Sequence, residues 1–73
     1  MREIVNDSNP QPLTDRERDV LELLVKGDTN RQIADSLGIT ANTVKKHVDH
    51  ILQKLQVSTR AAAVAVAMRA ERN

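Results

Sequence analysis

A stretch near the middle of the chain concentrates side chains that could bind a polyanion. Residues 40–60 hold four basic side chains against the single acidic Asp49, although the net charge of the whole chain is only +1. Polar residues recur there at intervals of three and four, which places them on one face of a helix. They are Asn42, Lys45, Lys46 and Asp49. Charge alone does not distinguish a polyanion-binding surface from an ordinary basic helix face in solvent.

Two histidines in the same stretch suggest a second kind of chemistry. His47 and His50 are three residues apart, so on a helix they could share a metal ion. The chain has no cysteine, and Asp49 is the only carboxylate near the two histidines in sequence. A nucleophile–base pair is not evident either. We therefore expect no enzymatic activity, no metal site and no cofactor.

The chain length and composition predict one small, soluble domain. Its 73 residues include no Phe, Tyr, Trp or Cys, and a domain of about 60 residues buries only about 60% of its unfolded surface. A second copy or a ligand is therefore expected to contribute to stability. The chain lacks an apolar run of about 18 residues, the length that a membrane span needs, and we expect a cytoplasmic protein. Residues 1–12 predict a flexible arm or linker remnant.

Helix-capping patterns predict the first two helices, over 15–26 and 30–37. Thr14 with Glu17, and Thr29 with Gln32, have the spacing of capping boxes. Gly27 and Gly38 are suited to end the two helices at positive φ. The apolar residues that repeat at helical spacing, and so face the core, are Val20, Leu21, Leu24, Ile33, Ala34 and Leu37.

A third helix is predicted over 41–55 and a fourth over 59–71, with Thr40 and Ser58 as their caps. Ile39, in the turn before the third helix, is expected to fill the angle between helices. The third helix has one apolar stripe: Val44, Val48, Ile51 and Leu55. The fourth is expected to face the core with Ala63, Val64 and Ala67. Its other face is unusually apolar for a monomer and carries Ala62, Ala65, Val66 and Arg69.

The second and third predicted helices, joined by a three-residue turn with Gly38, describe a helix-turn-helix. The second helix of such a pair fits the major groove of B-DNA, and its free face carries the polar residues named above. Unpaired N–H groups at residues 29–31 and 40–43 suit phosphate oxygens. The alternative is a helical hairpin with a polar outer face.

The order of these residues resembles the DNA-binding domain of the LuxR/FixJ family of bacterial transcription regulators. The likeness covers about residues 13–67. It rests on Leu13, Thr14, Arg16, Glu17, Val20, Leu21, Gly27, Asn30, Ile33, Ala34, Leu37, Ile39, Thr43, Val44, Lys45, His47, Ile51, Lys54, Leu55, Val57 and Arg60. The resemblance implies an all-α, four-helix domain. Its third helix would enter the groove, and its fourth would form a homodimer.

The resemblance also implies roles for single residues. Base contacts are expected from Asn42, Lys45, Lys46 and Asp49. DNA-backbone contacts are expected from Thr29, Asn30, Arg31, Thr40, Thr43, His47 and Lys54. The expected dimer face is Ala62, Ala65, Val66 and Arg69. Asp49 departs from family members with lysine there, and a carboxylate can accept from a cytosine amino group. A salt bridge between Glu17 and Arg60 is expected; the alternative is two separate surface charges.

The resulting hypothesis is a transcription regulator that reads a specific sequence in double-stranded DNA as a homodimer. It would be the effector domain of a two-component response regulator or a small stand-alone regulator. RNA polymerase is a candidate further partner. Two alternatives stay open: a helical protein–protein module that dimerises through the last helix, and the monomeric promoter-reading domain of a sigma-like factor.

Overall fold

The computed structural model describes residues 12–72, and the side chains up to residue 70. This part of the chain is all-α, as predicted, with no strand. Four helices follow one another: α1 (Asp15–Val25), α2 (Asn30–Leu37), α3 (Ala41–Leu55) and α4 (Arg60–Arg72). The bounds of α2 and α3 are those predicted from the sequence. The predicted arm lies outside the described residues except for Pro12.

Threonine hydroxyls begin α1, α2 and α3, as the sequence predicts. The amide of Glu17 donates to Thr14 Oγ1 at 3.1 Å, and the amide of Thr14 donates back to Glu17 Oε1 at 3.0 Å. Thr29 and Gln32 form the same reciprocal pair. Thr40 accepts from the amide of Thr43 at 3.1 Å. Each cap satisfies an amide that the helix itself leaves without a partner.

The predicted cap of the last helix is wrong by one residue. Thr59, not Ser58, accepts from the amide of Ala62 at 3.0 Å, and α4 begins at Arg60. Two adjacent hydroxyl residues offer the same capping chemistry, so residue type alone does not choose between them. The C-cap of α3 before them is Gln56, which adopts a left-handed conformation at φ 60° and ψ 44°. The sequence has no glycine there to mark it.

The core lies where the apolar stripes of all four helices meet, and α3 packs against each of the other three. Its buried residues are Val20, Leu24, Ile33, Ala34, Val44, Val48, Ile51 and Ala63. Ile39 packs against this cluster from the turn between α2 and α3, which confirms its predicted role. Because the inner stripe of α3 is fixed in this way, its polar face must point to solvent.

Candidate nucleic-acid interface

The outer face of α3 is a row of exposed polar side chains. Its predicted base-contacting residues, Asn42, Lys45, Lys46 and Asp49, are all exposed. One contact is found among them, between Lys45 Nζ and Asp49 Oδ2 at 3.8 Å, with 70% and 58% of the two side chains exposed. An ion pair this open to water is weak. The lysine is therefore free to exchange its carboxylate partner for an acceptor on another molecule.

The N-terminal turns of α2 and α3 begin the two helices of the helix-turn-helix. Thr29, Arg31 and Thr40 are exposed, whereas Asn30, Thr43 and His47 are half-buried. In each helix the capping hydroxyl accepts from the third amide, and the Thr29 amide donates to Gln32 Oε1. The prediction of unpaired N–H groups is therefore wrong for Thr29 and Thr43. The first two amides of a helix have no partner within it. They carry the positive end of the helix dipole, which favours an anion such as phosphate.

Lys54, predicted to contact the DNA backbone, has a partner inside the protein. Its Nζ lies 2.7 Å from Oε1 of Glu17, and its side chain is only 22% exposed. Glu17 is the one buried charged residue in the described part of the chain. His50 Nδ1 lies 3.8 Å from the other carboxylate oxygen. The backbone contact of Lys54 stays a prediction, and it would compete with this internal pair.

The surroundings of Glu17 keep it ionised. Burial raises the pKa of this carboxyl. Hydrogen bonds from Lys54 and the Thr14 amide, with the charge of Lys54, lower it by more, so the pKa lies below its ordinary value of 4.5. Sequence analysis missed this buried carboxylate. One signal was available: Glu17 occupies the same helical stripe as Val20 and Leu24, which face the core.

The predicted salt bridge between Glu17 and Arg60 is wrong, since Lys54 occupies the carboxylate. Arg60 instead contacts the start of α2. Its Nη1 donates to Asn30 Oδ1 and its Nη2 to the Asp28 carbonyl oxygen, both at 2.6 Å. Arg60 begins α4, so this contact joins the last helix to the first helix of the helix-turn-helix.

The predicted dimer face of α4 is only partly open in the single chain. Ala65 and Arg69 are exposed, while Ala62 and Val66 are half-buried. Met68, three residues after Ala65, is 50% exposed and is the one large exposed hydrophobic side chain among the described residues. Sequence analysis missed it, although its spacing from Ala65 was a usable signal.

No group of three or more potential metal ligands is found within residues 12–70. His50, one of the two histidines considered above, has its Nδ1 3.8 Å from Glu17 Oε2. None of the described helices is long and apolar enough to cross a membrane.

Comparison with known proteins identifies the family. A family model described as "Bacterial regulatory proteins, luxR family" matches residues 11–67. The probable transcriptional regulatory protein SgaR of Hyphomicrobium methylovorum is 45% identical over 71 residues, covering 97% of this chain and 34% of that protein. The nitrate/nitrite response regulator protein NarL of Escherichia coli (strain K12) is 49% identical over 51 residues, covering 70% and 24%. The chain thus spans about a third or less of these relatives.

The solved structure of the transcription factor GerE has the same fold, with a TM-score of 0.74 and 35% identity. The alignment covers 84% of this chain and 92% of that one. Both the sequence family and the four-helix fold therefore agree with the resemblance seen in the sequence. The family is one of DNA-binding transcription regulators, not of enzymes. The chain belongs to the LuxR family of bacterial regulatory proteins, as a helix-turn-helix DNA-binding domain of that family.

Proposed function

We propose that this domain regulates transcription by reading a specific DNA sequence with α3 in the major groove. The observation that carries the proposal is the division of α3 into two faces. Val44 and Ile51 are fully buried, whereas the four polar residues opposite them are exposed. The apolar stripe holds this helix in the core. The opposite face can therefore present donors and acceptors to base edges without disturbing the core. The proposed site of action is the bacterial cytoplasm.

Selection of bound fragments from a random DNA pool, followed by sequencing, tests whether the domain reads a specific sequence. We expect one enriched motif. Lys45→Ala should then weaken binding to that motif by about 1–3 kcal/mol, the value of a good bidentate base contact. Arg18→Ala is the matched control, because Arg18 is an exposed basic residue that lines a groove between α1 and α4. Equal affinities for wild type and Lys45→Ala would contradict the assignment of α3 to the groove.

The phosphate contacts proposed for Thr29, Asn30, Arg31, Thr40 and Thr43 are supported by the position of these residues at two helix N-termini. The contact proposed for His47, which lies farther along α3, rests on the family resemblance. Loss of a phosphate contact weakens binding to all sequences alike and reduces the salt dependence. Arg31→Ala, at an exposed position, should therefore lower affinity for the selected motif and for unrelated DNA by the same factor. A loss confined to the selected motif would instead make Arg31 a base-contacting residue.

We further propose that two copies bind one site through α4. Small exposed side chains let two helices approach closely, and Met68 extends the apolar part of this face. Two copies of α3 would then lie about 34–36 Å apart, one helical turn of DNA, on an inverted repeat. Ala65→Glu is a cleaner probe than a change at half-buried Val66, because Ala65 is exposed.

We expect Ala65→Glu to keep its helical circular-dichroism signal and to bind a full palindrome no better than a half-site. The like-charged pair across the two-fold axis would oppose the interface. If affinity for the full site is unchanged, the dimer face lies elsewhere or one copy binds alone. The second outcome would favour the monomeric sigma-like alternative.

The relatives' names support two proposals for the context of this domain. NarL is named a response regulator, which supports an output domain of a two-component system. GerE is named a transcription factor, which supports a role in the control of transcription. A contact with RNA polymerase stays a prediction under either proposal.

A further inference from the structure

Arg60 contacts the residues on either side of the N-cap of α2. It donates to the side chain of Asn30 and to the backbone of Asp28, the two neighbours of the N-cap residue Thr29. Both distances are 2.6 Å, short for hydrogen bonds from a guanidinium, and such charge-assisted bonds are about twice as strong as neutral ones. The start of α2 is therefore fixed by a residue that lies 30 positions away in the chain.

This contact fixes the orientation of the side-chain amide of Asn30. A guanidinium has only donors, so the oxygen of the amide must face Arg60. The Nδ2 group then points away from Arg60 and is the part of Asn30 that can still donate. An amide donor at the first residue of a helix is suited to a phosphate oxygen, as are the backbone amides beside it.

We propose that Arg60 is a positioning residue for DNA binding: it turns Asn30 so that Nδ2 donates to a phosphate, and it makes no phosphate contact itself. The inference rests on the proposed function, because Asn30 is one of the proposed DNA-backbone residues. It also gives each copy a direct link between α4, the proposed dimer helix, and the DNA-facing end of α2.

Asn30→Asp separates the positioning role from a purely structural one. The aspartate keeps an acceptor for Arg60 but removes the only side-chain donor. We expect the free energy of unfolding to stay the same or rise, while affinity for the selected DNA site falls about tenfold, the effect of one hydrogen bond to a charged group. Ser36→Asp is the control, since it adds the same charge at an exposed position near the other end of α2. A loss no larger than that of the control would overturn the proposal.

A double-mutant cycle with Arg60→Gln and Asn30→Ala tests the link itself. Each single change should weaken binding about threefold to tenfold. The loss from Arg60→Gln should be much smaller once Asn30 is alanine, because only the Asp28 contact is then left to lose. The slope of log affinity against log salt should stay that of wild type, because a direct phosphate contact by Arg60 would change it by about 0.9. Arg60→Lys keeps the charge but cannot donate to Asn30 and Asp28 as a guanidinium does, so it should bind DNA as poorly as Arg60→Gln. If Arg60→Gln does not fold, Arg60→Lys takes its place in the cycle.

Additive losses, or a reduced salt slope for Arg60→Gln, would overturn the inference while leaving the proposed function intact. A wild-type domain that enriches no DNA motif would overturn the proposed function, and this inference with it.

Discussion

Two lysines of α3 pair with carboxylates, and the two pairs have the same chemistry and opposite consequences. Lys45 and Asp49 lie on the outer face, 3.8 Å apart and mostly exposed. Lys54 contacts Glu17 of α1 at 2.7 Å, and the glutamate side chain is only 5% exposed. Water screens the first pair, whereas the second forms in a low-dielectric environment where a lost partner leaves an uncompensated charge.

The difference separates the two tasks of one helix. The inner pair, Lys54 with Glu17, fixes α3 to α1. The same carboxylate oxygen, Glu17 Oε1, also accepts from the Thr14 amide and so forms part of the capping box. The outer pair, Lys45 with Asp49, costs little to break, so the side chains on that face can rearrange around DNA. Burial, rather than residue type, decides which lysine stabilises the fold and which is available to a ligand.

The largest expected effect comes from removing the inner pair. Glu17→Ala should lower the free energy of unfolding by about 2–4 kcal/mol, since it leaves Lys54 without its partner and opens the α1 cap. Urea denaturation measures the loss. Asp19→Ala is the control on the same helix, because its contact with Arg16 is long and exposed at 3.6 Å. Equal losses for the two variants would contradict the contrast between buried and exposed pairs.

Acid should weaken the inner pair selectively. The folded state lowers the pKa of Glu17 below 4.5, so the folded protein binds a proton there less readily than the unfolded chain. The contribution of Glu17 is therefore complete above about pH 5 and is lost as the pH falls through the lowered folded pKa. Glu17→Gln should be less stable than wild type at about pH 7, and the difference should shrink toward about pH 3. A difference that stays constant over this range would show that the charge of Glu17 is not responsible.

The sequence predicts those parts of the fold that short-range chemistry determines. Threonine caps act within a few residues, which is why α1, α2 and α3 begin at the predicted residues, and Gly38 marks the end of α2. The predicted end of α3 rests on its last apolar residue, Leu55, and not on a terminal glycine. Gln56 carries no such signal, because glutamine seldom adopts the left-handed conformation, which costs an ordinary residue about 1–2 kcal/mol. The choice of Ser58 rather than Thr59 as cap was wrong because two adjacent hydroxyl residues offer the same capping chemistry.

The charged contacts were less predictable than the helices because their partners are distant in sequence. Glu17 and Lys54 are 37 residues apart, and charge type alone does not distinguish Lys54 from Arg60 as the partner of Glu17. The exposed face of α3 was predictable, since the residues opposite a core stripe must face solvent. The partial burial of Ala62 and Val66 depends on how α4 packs, which its Ala- and Val-rich sequence leaves open.

A change on the outer pair should act on DNA binding instead of folding. Asp49→Lys removes a charge that repels phosphate, frees Lys45 from its partner and adds a new cation. We expect tighter binding to DNA of any sequence, with the log–log salt slope steeper by about 0.9 for each additional phosphate that the protein neutralises. Fluorescence anisotropy at several salt concentrations measures both quantities. An unchanged slope would count against Asp49 lying near the duplex.

The smallest expected effect comes from neutralising Asp49. Asp49→Ala removes the outer pair, which as an exposed i, i+4 contact contributes about 0.3–0.5 kcal/mol. Alanine also has the higher helix propensity, by up to about 0.7 kcal/mol per residue, so the two contributions nearly cancel. The free energy of unfolding should therefore stay within about 0.5 kcal/mol of wild type in urea denaturation, at low and at high salt. A loss above about 1 kcal/mol at low salt that vanishes at high salt would mean that the outer pair also stabilises the fold, and the division between the two faces of α3 would fail.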